Sequence, residues 1–237
     1  MTDTILLGNH IYDDTAVERA VVDGDYDLVT ASATTTDELV ALDAEDVVAL
    51  VNPPYPTSAA AFEAFPDLEV LAVTGIGVDH VDLDAASTHG VRVVNVPDYC
   101  VEEVSTHAVS LLLAVARQLG AYDRDVRDGG WDWRVGRPIH RLAGRTLGLV
   151  GFGDIPRRVA EKLTGFDLEA VAYDPYVDDE VLEDYGVERV DFETLLDRAD
   201  LVSVHAPLTA ETEGLFDAAA FARMQETAVL VNAARGP

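Results

Sequence analysis

One stretch limits the possible folds of this chain more than any other: residues 146–174, TLGLVGFGDIPRRVAEKLTGFDLEAVAYD. Leu147 to Val150 is a short apolar run of the kind that forms a buried strand, and it stops at Gly151-Phe152-Gly153. The spacing of Ile155, Val159 and Leu163, with Arg157, Arg158, Glu161 and Lys162 on the other side, predicts an amphipathic helix. A second apolar run, Ala170 to Tyr173, ends on Asp174, 23 residues after Gly151. Strand, glycine turn, helix and second strand together predict a parallel βαβ unit with an acidic residue at the tip of its second strand.

These residue types suit the binding of a dinucleotide. Gly151 allows a tight turn, and Gly153 lets main-chain N–H groups approach a diphosphate with no side chain in the way. The unpaired N–H groups and the positive dipole end of the helix favour an anion there. Asp174 can accept hydrogen bonds from the ribose hydroxyls and would repel a 2′-phosphate, so the expected cofactor is NAD and not NADP. A glycine pair alone fits an ordinary turn equally well. The flanking strands, the helix and Asp174 select the nucleotide reading. The third glycine of the fingerprint is Pro156 here. Proline is tolerated in a first helical turn, where its missing N–H would have no partner anyway, although it thickens the helix–strand contact.

The rest of the chain repeats the alternation. Strand runs are expected at Thr4–Gly8, Leu28–Ala31, Val47–Val51, Val70–Val73 and Val91–Val94, with helical segments such as Thr36–Leu42, Thr57–Phe65 and Leu83–His89 between them. Gly90 is expected to end the last of these. After the fingerprint, strands are expected at Glu188–Val190, Leu201–His205 and Ala228–Asn232, and helices at Phe192–Arg198 and Ala218–Met224. The fold class is therefore α/β with two doubly wound parallel-sheet domains. Residues 1–96 form a flavodoxin-like domain. Residues 97–237 form a dinucleotide-binding Rossmann domain, entered through Val96-Pro97-Asp98-Tyr99 and a long helix, Glu102–Arg117, and incomplete at its C-terminal end.

Two further segments stand out. Gly75-Ile76-Gly77 follows an apolar strand, so its amides could hold a small carboxylate; equally, it could be a plain strand–helix turn with Asp82 as N-cap. Asp123 to Arg137 is polar, glycine-broken and carries Trp131 and Trp133, which either form a partner surface or pack on the chain's own core.

Composition removes several function classes. With 44 acidic against 16 basic residues the net charge is −28, and Lys162 is the sole lysine. Nucleic-acid binding is not expected, because it needs clustered cations. A surface this acidic repels itself at low salt and fits a salt-adapted, halophilic protein. No apolar run approaches the roughly 20 residues of a membrane span. The first ten residues lack the basic start of a signal peptide, so a cytoplasmic location is expected. Cys100 is the single cysteine, which excludes an internal disulfide and a zinc thiolate cluster, and no metal site is expected.

The motifs TGIGVDHVD, NVPDYCVEEVSTHAVSLLLAVAR, RTLGLVGFGDIPRRVA, VAYDPY, DLVSVHAPLTAETEGLF and VNAARG, in this order, resemble the D-isomer-specific 2-hydroxyacid dehydrogenases. VPDYC, GGWDW and YDPYV look most like the subgroup related to C-terminal-binding protein. The resemblance implies a two-domain, homodimeric, NAD-dependent enzyme that interconverts small 2-oxo and D-2-hydroxy acids. By position it places Asp154 and Ile155 at the diphosphate and Asp174 at the ribose. His205, Ala206 and Pro207 fall beside the adenosine, with Thr212 near them, and Ala233, Ala234 and Arg235 on the nicotinamide side. Amides at Ile76 and Gly77 would hold the substrate carboxylate. Arg235 corresponds to the catalytic arginine, whose guanidinium forks onto the carboxylate and carbonyl oxygens.

The family's acid–base histidine and its glutamate partner fall beyond Arg235, outside these 237 residues. His10, His80, His89, His107 and His140 match no family role, and His80, nearest the carboxylate turn, is expected to be a solvated turn residue. Reduced turnover is therefore expected of the 237-residue chain, since losing a proton-transfer group costs about 10²–10⁴ in rate. An NAD-binding or partner-binding module without turnover is the alternative.

Overall fold

A computed structural model describes residues 2–8, 14–22, 24–33, 35–42, 44, 46–51 and 56–236. The chain divides into two compact units, Met1–Tyr99 and Cys100–Pro237.

The first unit has five parallel strands, β1 (Thr4–Gly8), β2 (Asp27–Ala31), β3 (Val47–Val51), β4 (Val70–Ala72) and β5 (Arg92–Val94), in the order β2-β1-β3-β4-β5. That is the flavodoxin-like order. Helices α1 (Ala16–Val22), α2 (Thr36–Val40), α3 (Ala59–Ala64) and α4 (Leu83–Thr88) connect them. Leu6, Leu50 and Leu71 on the three central strands are fully buried in one cluster with Leu39, Phe62 and Ala86 from the helices. The Asp82 carboxylate accepts the Ala85 N–H at 2.9 Å and caps α4, and Gly90 takes a left-handed φ of 74° just after that helix. His10 lies outside the described residues.

The second unit begins with α5 (Val101–Ala116) and α6 (Leu119–Arg127). Then come β6 (Thr146–Val150), α7 (Asp154–Leu163), β7 (Glu169–Tyr173), α8 (Asp179–Asp184), β8 (Glu188–Arg189), α9 (Phe192–Arg198), β9 (Leu201–Val204), α10 (Ala218–Arg223) and β10 (Val229–Asn232). All its strands are parallel, in the order β10-β9-β6-β7-β8. Renumbered from β6 and read from the other edge, this is 3-2-1-4-5, the first five places of the six-stranded dinucleotide-binding order. Leu147 and Leu149 cluster with Ala108 and Leu112 of α5 and Val159 and Leu163 of α7. Val150, Val171, Val202 and Val204 cluster with Leu195 and Leu196 of α9 and Ala220 of α10. Burial on both faces is why the strands read as continuous apolar runs instead of alternating ones. A Cβ on Gly148 would lie 2.9 Å from both Ala199 Cβ and Leu195 Cδ2, so the approach of α9 to β6 demands glycine there. Arg145 pairs with Asp200, whose second oxygen accepts the Thr146 N–H at 2.9 Å, tying the start of β6 to the start of β9.

The structure adds what the residue order left open. The polar, glycine-broken segment from Asp123 begins as helix, up to Arg127, within α6. Gln118, in a left-handed conformation at φ 54°, separates α6 from α5, and Arg127 pairs with Asp123 one turn back at 2.7 Å. Trp131 and Trp133 do not pack on the core: they are 90% and 64% exposed, and the Arg137 guanidinium sits 3.9 Å from the Trp133 ring centre. Helices α1 and α8 were not foreseen. The first buries no residue and leaves Val17 and Val21 exposed, and the second buries only Leu182.

Candidate coenzyme site

Strand β6 ends in Gly151, which has φ 85° and donates its N–H to Tyr173 O at 2.9 Å. A Cβ at Gly151 would lie 2.9 Å from the Ala206 nitrogen and 3.1 Å from the His205 carbonyl carbon. Only glycine therefore fits where the ends of β6 and β9 converge. Gly153 is the N-cap of α7, and neither a side-chain cap nor any atom within 4 Å of a Cβ position fills the space before it. Pro156 is buried in the first turn without breaking the helix, since Arg157 N–H still reaches Gly153 O at 3.2 Å.

Asp174 sits at the end of β7 and does more than wait for a ligand. Its Oδ2 accepts the Phe152 N–H at 2.7 Å, and its Oδ1 accepts the N–H groups of Tyr176 at 2.9 Å and Val177 at 3.3 Å. One carboxylate thus fixes both the glycine turn and the turn after β7. Gly151, Asp174, Tyr176, Ala206, Pro207 and Thr212 line one cavity of about 450 Å³, within the usual range for small-molecule sites.

His205 is half-buried, with Nε2 2.8 Å from the hydroxyl of the fully buried Ser203. Burial pushes its pKa down to about 4, so the ring is neutral near pH 7. Thr212 does not offer its hydroxyl to the cavity. It donates to Pro207 O and accepts the Thr209 N–H at 2.9 Å, holding the turn closed.

Asp154, 71% exposed on its side chain, opens α7, and Ile155 follows it. Its negative charge opposes an anion at this helix end, but Arg157 lies 3.6 Å away and also donates Nε–H to Phe152 O at 3.1 Å. At the carboxyl end of β10, Asn232 brackets the last loop: Nδ2 donates to Arg235 O at 2.8 Å and Oδ1 accepts the Ala234 N–H at 2.9 Å. Ala233 N–H continues the ladder to Val204 O at 3.2 Å. Arg235 is exposed and lines a second cavity of about 220 Å³ with Pro207, Thr212 and Asn232. The structure therefore brings together the predicted residues of β6, β7, β9 and β10 at one end of one sheet. The sequence had not pointed to Asn232, Tyr176 or the Phe152 amide as parts of this site. All three fall within quoted motifs, Asn232 in VNAARG, Tyr176 in VAYDPY and Phe152 in RTLGLVGFGDIPRRVA, but the motifs alone do not show these contacts.

In the first unit, Ile76 O accepts Asn95 Nδ2 at 2.8 Å and Gly75 O accepts the Val96 N–H at 3.2 Å. Nε2 of His80 is buried without a hydrogen-bond partner among the described residues, which corrects the expectation of a solvated ring.

Residues 109–237 match the sequence profile of the D-isomer specific 2-hydroxyacid dehydrogenase, NAD binding domain. The chain belongs to the D-isomer-specific 2-hydroxyacid dehydrogenase family. It is 40% identical over 200 residues to D-3-phosphoglycerate dehydrogenase of Mycobacterium tuberculosis, a match covering 84% of this chain and 38% of that one. It is 34% identical over 208 residues to hydroxypyruvate reductase of Thermotoga maritima, covering 88% and 67%. The NAD-dependent formate dehydrogenase of Staphylococcus aureus in complex with NAD superposes with a TM-score of 0.85 at 29% identity, over 98% of this chain and 74% of that one. The chain thus spans about two fifths of the length of the mycobacterial relative.

The geometry fits the coenzyme that this domain of the family binds, NAD. The head of α7 is uncapped and open, the turn before it has no side chain facing out, and a carboxylate closes the next strand. Among the described residues no group of histidine, cysteine and carboxylate side chains could hold a metal ion, and no helix is long and apolar enough to cross a membrane.

Proposed function

We propose that this chain provides the coenzyme grip, and part of the substrate grip, of an NAD-dependent oxidoreductase that interconverts 2-oxo acids and D-2-hydroxy acids. The observation that carries the reading is the convergence of Gly151, Asp174, Ala206 and Pro207 on one cavity at the carboxyl end of a 3-2-1-4-5 parallel sheet. When bound, NAD supplies the hydride-transferring ring. The residues of this chain orient it. The N–H groups of Asp154 and Ile155 meet the diphosphate, and Pro156 has none to give. Asp174 accepts from the ribose while its other lone pairs hold Phe152 and Tyr176. Ala206, Pro207 and Thr212 line the wall, while His205 just before them, held against the buried Ser203 hydroxyl and neutral, neither gives nor takes a proton near pH 7. Ala233, Ala234 and Arg235, in the loop that Asn232 braces, face the nicotinamide side, with Arg235 binding the 2-oxo acid through paired donors. In the first unit, the amides of Ile76 and Gly77 contribute carboxylate binding.

The test is a titration of the 237-residue chain with NADH followed by coenzyme fluorescence, then NADH oxidation with glyoxylate, pyruvate and hydroxypyruvate, all in molar KCl. Saturable binding that weakens at least tenfold in D174A supports the reading; no binding by the folded wild type ends it. Binding with no turnover on any 2-oxo acid would favour a coenzyme-binding module. The charge balance also supports a salt-adapted protein, and the exposed Trp131–Trp133 arm a homodimer contact. Circular dichroism from low to molar KCl, with light scattering for mass, tests both; full structure at low salt and a monomeric mass would count against them.

A further inference from the structure

The rim of the coenzyme cavity carries a second carboxylate. Tyr176 stands two residues past Asp174. Its backbone N–H donates to Asp174 Oδ1 at 2.9 Å, and its hydroxyl donates to Glu211 on the turn between β9 and α10. A single tyrosine therefore bridges two acidic side chains that line the same cavity of about 450 Å³. The hydrogen bond to Glu211 raises the phenol pKa above its usual value, so the hydroxyl remains the donor and the bridge persists at neutral pH. Among the described residues neither Asp174 nor Glu211 forms an ion pair, while the Arg189 guanidinium beside them is taken by Asp179 and by the carbonyls of Asp174 and Val177. The cavity wall thus carries two carboxylates, neither of them in an ion pair among the described residues.

We propose that Glu211, positioned by Tyr176, is a specificity-determining residue that acts with Asp174 to exclude coenzymes carrying an extra phosphate on the adenosine ribose. This rests on the coenzyme reading above and deepens it. A phosphate monoester carries a charge of about −1.5 to −2 near pH 7. Across a solvated gap of about 6–8 Å, one carboxylate repels such a group enough to change its affinity several-fold, and salt screens the effect. It follows that substitution of Asp174 alone leaves part of the exclusion in place.

The experiment uses the 237-residue chain as wild type, D174S, E211Q and the double variant, each checked for fold by circular dichroism. NADH and NADPH are titrated against each by fluorescence at 0.15 M and 1 M KCl. We expect E211Q to strengthen NADPH binding about threefold to tenfold at the lower salt, in the wild-type and D174S backgrounds alike. NADH affinity should stay within about twofold, and the gain should shrink at 1 M KCl, where the screening length falls to about 3 Å. If D174S fails to fold because Phe152 and Tyr176 lose their acceptor, E211Q in the wild-type background carries the same test. An unchanged NADPH affinity in E211Q overturns the proposal. Equal shifts for NADH and NADPH overturn it too, because they assign Glu211 only to holding the rim. A folded wild type that binds no NADH overturns the coenzyme reading and this proposal with it.

Discussion

Gly75-Ile76-Gly77 and Gly151-Phe152-Gly153 look alike in the sequence, and each follows a parallel strand with a partner on both sides, yet the fold uses them differently. Strand β4 lies between β3 and β5, its neighbours in chain order, so the sheet keeps growing in one direction past the first turn. Strand β6 lies between β7 and β9, where the order reverses and the helices leave on opposite faces, opening the crevice in which doubly wound sheets take their ligands. The local structure differs as well. Gly151 needs a positive φ and presses against the backbone of Ala206, whereas a Cβ on Gly75 would meet only Val73 Cγ1 at an ordinary 3.9 Å. Gly153 leads directly into the ten-residue α7, while the first turn reaches the six-residue α4 only at Leu83, behind the Asp82 cap. A glycine pair after a strand is therefore a weak signal by itself, and its place in the strand order gives it meaning.

The largest effect separating the two turns is expected from G151A. Forcing φ 85° on alanine and driving its methyl into Ala206 should cost about 2–4 kcal/mol in a urea titration and remove measurable NADH binding. A G151A protein with wild-type affinity would show that the close approach of β6 and β9 is unimportant.

Acid should distinguish the units next. His205 titrates near 4 when folded and near 6.5 when unfolded, so between these values the unfolded chain binds the extra proton. Stability of the second unit must then rise with pH across that window and fall as pH drops through it, by about 3 kcal/mol in all. H205N should flatten this slope, and urea midpoints measured from pH 4 to 7 would show whether it does; an unaltered slope would place the acid sensitivity elsewhere.

G75A should do least. It calls for no positive φ and meets no close atom, so a stability change within about 0.5 kcal/mol and unaltered NADH affinity are expected. A loss as large as that in G151A would erase the distinction between the turns.

Much of this was legible from residue order. Apolar runs bounded by Gly, Asp and Pro mark the strands to within a residue or two, because parallel strands buried on both faces leave few alternatives. The fingerprint was legible because each of its roles requires a particular residue type: no side chain at Gly151, a carboxylate at Asp174. Helix α6 was not, since it alternates apolar and charged residues and buries none of them, so its stability rests on local pairs such as Arg127–Asp123 and not on packing against a core. His80 was misjudged for a related reason: turn residues are usually wet, and only packing reveals that Nε2 is buried.

By itself the sequence determined the alternation of strands and helices, the acidic charge and the chemical types available at each strand end. These are local or compositional properties, which neighbouring residues already encode. The tertiary structure decided which strand ends share a crevice, that Asp174 is already engaged by Phe152 and Tyr176, that Thr212 closes its own turn, and that Tyr176 carries Glu211 to the same cavity wall. Those facts depend on strand order and on contacts between residues far apart in the chain, where a single hydrogen bond can redirect a side chain without leaving any trace in the spacing of the residues.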